Sequence, residues 1–430
     1  MGVWASENSA LQNTKAVILR RGRGGIAIVI LISVFFILAL FSFPSSSIPY
    51  DVSRSARSNF NIHAFKDNLN HIRNSTLGFQ KIFGINLPER SDKRDATLLQ
   101  GKVTNFTIDW VDGVVGSEVS PKALPYGLTS SQTFERKPGS VGCWRAHLNI
   151  YTRMIEQGIQ TALILEDDAD WDIGLKSQLV EFARGSRWLL DSDNKAKGSP
   201  YGDNWDILWF GHCHSEARRS DNRRWVIPHD PTVPPRSVRT SFQQPDMSPW
   251  EQGDSPDLQT RIVHRMHWGY CTAGYAISLR GAERMVYAAS LVPNNKSIDM
   301  NMGDMCAEFV FPDFTCIAPF PRLIGVARAA GSTVKNSDIA DIDPDKAQVN
   351  EKDRTENLMF SVRHNIRRIL NGETTFHSFF SNPSGDLLTL GEITRARGHP
   401  ETLKPRPKKA MEEQKEHGEK RRHLKYLWRR

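Results

Sequence analysis

The chain has 430 residues, 39% hydrophobic and 24% charged, with 30 Gly and 23 Pro, a globular composition that excludes wholesale disorder and leaves ample material for a core. Its five Cys exclude a disulfide-dense scaffold, and no CxxC pair is present to build a structural zinc site. The formal charge of +8 sits at the ends, with +3 in residues 1–25, +6 in residues 401–430 and −1 in residues 26–400, so the body needs no polyanion and no nucleic-acid partner is expected.

After a cytosolic tail, residues 1–23, the run from Gly24 to Phe43 contains twenty residues without a charge. About twenty apolar residues cross a ~30 Å hydrocarbon core as a helix, whereas the apolar part of a cleaved signal peptide is usually about 7–15 residues. Lys15, Arg20, Arg21 and Arg23 precede the span and no basic residue follows it until Arg54. The positive-inside rule then keeps the N-terminus cytosolic. These features predict a single-pass type II membrane protein whose remaining residues face the secretory lumen or the outside. The sequons at Asn74, Asn105 and Asn295 agree with that side. In an oxidising compartment the odd set Cys143, Cys213, Cys271, Cys306 and Cys316 leaves at least one thiol free or paired between chains.

Residues 44–80 are polar and weakly periodic and read as a stem. A body of short apolar runs separated by helical stretches follows over 81–330, which predicts an α/β layered domain. Lys81–Leu87 is expected as a buried strand. Ser91–Gln100 is expected as a helix with Asp92 as its cap. Gly142–Gly158 has a helical period ending on a glycine C-cap. Thr161–Leu165 and Trp205–Phe210 read as buried strands, Thr272–Ser278 as another strand, and Arg280–Ala289 as a helix. Residues 216–265, rich in Pro, Asp, Arg, Ser and Gln, read as a long functional or disordered insertion. Residues 331–394 form a C-terminal extension, and residues 395–430 a basic tail of low core-forming capacity.

Glu166, Asp167, Asp168 and Asp170 follow the strand at Thr161–Leu165 directly. Ligands in open α/β sheets bind outside the carboxyl ends of strands. Carboxylates this dense repel unless neutralised, and a hard divalent ion, Mn²⁺ or Mg²⁺, takes one or two of them together with substrate phosphates. Alternation after a strand makes Glu166 with Asp168, or Asp168 with Asp170, the coordinating pairs. Asn86, Arg90 and Arg94 follow the first strand, where Arg forks suit phosphate and Asn suits a ribose or base edge. His147 lies one turn after Cys143 on a helix. Asp299, Asp304 and Glu308 are downstream acids, any of which suits the proton-accepting carboxylate of a transfer to a hydroxyl. His212 and His214 form an HxH pair; with the acidic cluster, His212 would suit a metal-dependent hydrolase.

Four blocks together resemble glycosyltransferase family 25, the lipopolysaccharide-type and procollagen galactosyltransferases. They are Ile85–Arg94, Gly139–His147, Ala162–Ala169 and Thr272–Ala282, in that order. The resemblance implies a GT-A-like mixed sheet flanked by helices, a nucleotide-sugar donor, a UDP-sugar foremost, and inverting transfer, galactose being one candidate sugar, to a glycan or glycoprotein hydroxyl. By that similarity Asn86 and Arg90 lie near the nucleotide, and Glu166, Asp167 and Asp168 take the place of the acidic metal-binding motif. Asp299 falls near the family's Pro-Ile-Asp element, although Lys296-Ser-Ile298 precedes it here. Anchor, stem and lumenal body are the layout of a Golgi enzyme. The alternative is a lumenal glycan-binding or scaffold protein with a degenerate transferase fold.

Overall fold

The structure is a computed structural model, and the described residues are 68–125, 137–192, 198–239, 244–293, 295–339 and 344–404. The apolar span at 24–43 and the cytosolic tail before it lie outside them, and no described helix is long and apolar enough to cross a membrane.

The first half alternates strand and helix as its apolar runs require: β1 (Lys81–Asn86), α1 (Ser91–Val103), β2 (Asp109–Asp112), α2 (Pro138–Gln157) and β3 (Thr161–Glu166). Helix α2 starts with proline inside its first turn and ends at Gly158, whose φ of 64° closes the last turn as the sequence leads one to expect. Gly142 lets this helix lie against the loop after β2; a Cβ there would stand 2.1 Å from the Val114 carbonyl oxygen. The N-cap of α1 is Arg90, without a side-chain cap, and Asp92 pairs with the Arg90 guanidinium at 2.9 Å instead of capping.

The chain continues through β4 (Ala169–Trp171), α3 (Leu175–Leu189), β5 (Ile207–Trp209), β6 (His214–Ala217), β7 (Arg223–Ile227), β8 (Arg261–Tyr270), β9 (Gly274–Ser278), α4 (Leu279–Val286), α5 (Ile298–Cys306), β10 (Cys316–Phe320) and β11 (Ile324–Arg328). It closes with β12 (Arg354–Glu356), α6 (Val362–Leu370) and β13 (His399–Thr402). The main sheet runs β13-β7-β8-β10-β5-β9-β3-β1-β2, with β6 beside β8. Strands β1, β2 and β3 are parallel, while β9 runs antiparallel between β3 and β5. A second sheet, β12-β11-β4, stands at the end of β3.

Alternate residues of β3 feed two cores. Ala162 and Ile164 pack with Trp144, Leu148 and Tyr151 of α2, and Leu163 and Leu165 pack with Leu179, Phe182 and Ala183 of α3. This period of two in a run without polar residues is what a sheet covered on both faces demands.

Three spans are more ordered than their composition suggests. Residues 68–80, read as stem, bury Leu69, Ile72, Leu77 and Phe79, and Phe79 stacks on Tyr201 with centroids 4.6 Å apart. The insertion at 216–265 supplies β7 and the start of β8, whose buried Arg261 is neutralised by Asp230 at 2.7 Å. Strand β13, within the span read as a charged tail, pairs antiparallel with β7.

Candidate functional site

In the order β2-β1-β3 the chain moves outward from β1 to β2 and then crosses to the other side of β1, so the connections at the carboxyl ends of β1 and β3 diverge, the position at which open α/β sheets place a ligand crevice. Ile85 registers with Glu166. Asn86 and the acidic turn therefore leave the sheet side by side. The Asn86 amide donates to Asp167 Oδ2 at 3.0 Å and to the Arg90 carbonyl at 3.0 Å, and its buried Oδ1 has no hydrogen-bond partner.

The three consecutive acids differ in environment. Glu166 accepts from Thr272 Oγ1 at 2.5 Å and faces His147 Nε2 at 3.8 Å. Burial opposes its ionisation, but His147 and Thr272 outweigh that and hold its pKa below the usual carboxylate value. Asp167 is raised by burial, although Lys93 at 3.2 Å and Asn86 partly compensate. Burial and the adjacent Glu166 charge push Asp168 up to about 6, even though Arg328 donates to its Oδ2 at 2.9 Å. Its other oxygen, Oδ1, is buried without a hydrogen-bond partner.

Asp170 is not part of this group. It is fully buried, with Oδ1 taken by Gln100 at 3.0 Å and the Trp171 amide at 2.9 Å, and Oδ2 by Thr355 at 2.8 Å and Ser361 at 2.5 Å. With four donors committed, it braces β4 against β12 and α6 and offers nothing to a ligand.

Cations come from several parts of the chain. Lys93 and Arg328, neither singled out by the sequence, neutralise Asp167 and Asp168. Lys93, Thr97 and Gln100 lie on the buried face of α1, a polar stripe at helical spacing that was the available signal. Arg363 of α6 donates to Thr97 and Gln100 and to the Asp167 carbonyl, fixing the turn from outside. Arg90 is held by Asp92 and by Asp338, which also binds Lys93 at 2.5 Å. Arg94 instead lies over the Trp110 ring, 5.3 Å from its centroid.

His147 is 1% exposed; its Nδ1 meets the Tyr275 hydroxyl at 2.8 Å and its Nε2 faces Glu166, so it lies between a buried tyrosine and the first of the acids. Asp299, in the first turn of α5, accepts from Ser297 Oγ at 2.5 Å, the Met300 amide at 2.8 Å and the Cys271 amide at 3.0 Å. Its acceptance from Cys271, the residue before the Thr272 that donates to Glu166, brings it to the Glu166 side of the acidic turn. Asp304 is 1% exposed and bound to Lys296 at 2.8 Å, away from solvent. Glu308 pairs with Arg218 at 2.8 Å. His212 is buried against the Pro319 carbonyl at 2.7 Å, and burial holds it neutral; it does not join the acids.

A mixed α/β sheet with buried carboxylates gathered at its strand-order reversal places the chain in the layered α/β class, with a candidate ligand site at that reversal. The chain belongs to glycosyltransferase family 25 (LPS biosynthesis protein), which it matches over residues 79–302, more than half its length. It is 25% identical over 224 residues to procollagen galactosyltransferase 1 of Danio rerio and 24% over 220 residues to procollagen galactosyltransferase 2 of Homo sapiens. These matches cover 50% and 49% of this chain but 30% and 28% of those proteins. It is also 26% identical over 149 residues to the human inactive glycosyltransferase 25 family member 3, covering 32% of this chain and 23% of that one. The chain thus spans under a third of the length of these relatives.

Proposed function

We propose that this chain is a GT-A-type glycosyltransferase that moves a sugar, galactose foremost, from a nucleoside-diphosphate donor to a hydroxyl of a glycan or glycoprotein, with inversion. The observation that carries the reading is the pair Glu166 and Asp168 at the crevice, with Asp168 Oδ1 buried and lacking a hydrogen-bond partner. Two mutually repelling carboxylates with an open oxygen fit a hard divalent cation, Mn²⁺ or Mg²⁺. Glu166 and Asp168 would hold it, and when bound it would neutralise the diphosphate leaving group.

The chain's own residues supply the remaining steps. Asn86 Oδ1 is the acceptor atom offered to the ribose or base. Arg90 and Lys93, now bound to Asp338, exchange that carboxylate for donor phosphate. Asp299 takes the proton of the acceptor hydroxyl as the new bond to the anomeric carbon forms and the bond to the diphosphate breaks. The burial of Asp304 and its pairing with Lys296 favour Asp299 as this base.

The proposal extends to a type II Golgi protein anchored by residues 24–43. The disulfides Cys213–Cys271 and Cys306–Cys316 suit a lumenal, oxidising compartment. Both parts are tested on the expressed chain. Alkaline extraction should leave it in the membrane, and glycosidase treatment should change its mobility through Asn74, Asn105 or Asn295. Product analysis with a panel of nucleotide sugars should show one transferred sugar. A chain released from membranes by alkali would overturn the anchor, and donor binding without turnover would favour the non-catalytic alternative.

A further inference from the structure

We propose that Cys143, His147 and Glu166 form a binding site for a soft divalent cation, Zn²⁺ foremost, beside the carboxylates that suit a hard ion. The Cys143 thiol, a His147 ring nitrogen and a Glu166 carboxylate oxygen all lie within 4.8 Å of one another. A tetrahedral zinc with bonds of roughly 2.0–2.3 Å keeps its ligand atoms about 3.3–3.8 Å apart. His147 Nε2 and Glu166 Oε1, at 3.8 Å, lie within a few tenths of an ångström of the spacing of about 3.3–3.6 Å for a nitrogen–oxygen pair.

The placement follows from α2. Cys143 and His147 stand one turn apart on the helix face that covers the end of β3. The His147 ring is also oriented by a chain of polar contacts: Nδ1 to Tyr275 OH at 2.8 Å, Tyr275 OH to Tyr151 OH at 2.5 Å, and Tyr151 OH to Met302 Sδ at 4.0 Å. Metal binding selects the tautomer in which Nδ1–H donates into this chain and Nε2 offers its lone pair; without an ion, Nε2–H facing Glu166 is the form that steadies the carboxylate. Nε2 faces a carboxylate oxygen at 3.8 Å, too far for a hydrogen bond. A cation fits between that nitrogen and the Glu166 oxygen, and a histidine whose far nitrogen is fixed by a polar partner is the usual form of a zinc ligand.

Cys143 is the single free thiol, since the other four cysteines are paired. On binding, its S–H proton passes to solvent and the thiolate sulfur coordinates, so uptake releases about one proton per ion. Sharing Glu166 makes the soft ion and the hard ion competitors; that consequence rests on the proposed transfer reaction, whereas the binding itself does not.

The test is titration of the intact protein with Co²⁺, whose thiolate complexes give a charge-transfer absorption band. One equivalent should produce the band, and Zn²⁺ should displace the Co²⁺ and slow alkylation of Cys143 at least about tenfold. Cys143→Ser should abolish the band, and His147→Gln should weaken Co²⁺ binding by about ten- to a hundredfold. Thermal unfolding checks that each variant is folded, with Cys143→Ala as a second thiol-free form. A wild-type protein without the band, or a Cys143→Ser protein with unchanged affinity, overturns the site. A band in a protein with no transferase activity upholds the site while counting against the proposed reaction.

Discussion

Arg328 reaches from β11 to the turn after β3 and donates to Asp168 Oδ2 at 2.9 Å, while also holding Glu356 at 3.3 Å. One acid of the crevice is thereby half satisfied, and its second oxygen is left for a ligand.

Asp168 should show opposite pH slopes for stability and activity. Burial and Glu166 raise it from 3.8 to about 6 in the folded protein. Between those values the folded chain keeps a proton that the unfolded chain has lost, so its contribution to stability falls as pH rises through the window. Cation binding needs the ionised form, so activity should rise through the same window. Asp168→Asn should remove activity without loss of stability at pH 7.5, because the rise to about 6 already includes the Arg328 pair and leaves a net cost of up to about 3 kcal/mol on the buried charge. Thermal melts and rates from pH 4.5 to 8 check both slopes.

Asp170→Ala should behave in the opposite way. It strands four buried donors, Gln100, Trp171, Thr355 and Ser361, and should destabilise by roughly 3–5 kcal/mol or prevent folding. Denaturant unfolding measures the loss.

The strands β1 and β3 and the helix α2 with its Gly158 terminus were legible in the sequence because burial on both sheet faces and a helical apolar period leave a local signature. The start of β8 was not, since Arg261 and His264 sit buried in it through partners at Asp230 and Ser215 that no local pattern announces. At the site, the acids and Asn86 could be read from their position after strands. Lys93 carries no local signal of its own, since a lysine on a helix is most often surface charge and only its partners Asp167 and Asp338 mark it. Arg328 and Arg363 lie 160 and 196 residues from the atoms they hold, so only the fold brings them in. Asp170 was grouped with its neighbours by proximity along the chain, yet β4 turns it into a different layer.

Asp299→Asn and Asp304→Asn should separate base from scaffold. The first should lower kcat at least about a hundredfold with donor affinity retained. The second should leave Lys296 without its carboxylate and cost about 1–3 kcal/mol of stability. Rates and unfolding curves of both variants distinguish the roles.

Asp338 competes with phosphate for Arg90 and Lys93 on the proposed reading. Asp338→Asn should lower the donor KM by about three- to tenfold, a change of roughly 1 kcal/mol, with kcat little altered. An unchanged or raised KM would place the diphosphate elsewhere.

The most direct measurement is nucleotide release by the intact chain from a panel of nucleotide sugars, with and without Mn²⁺, for wild type and Asp168→Asn. The account predicts release from one donor by wild type alone, dependent on the metal and accelerated by a glycan acceptor. Metal-independent release, or full activity in folded Asp168→Asn, would contradict the role assigned to the acidic crevice.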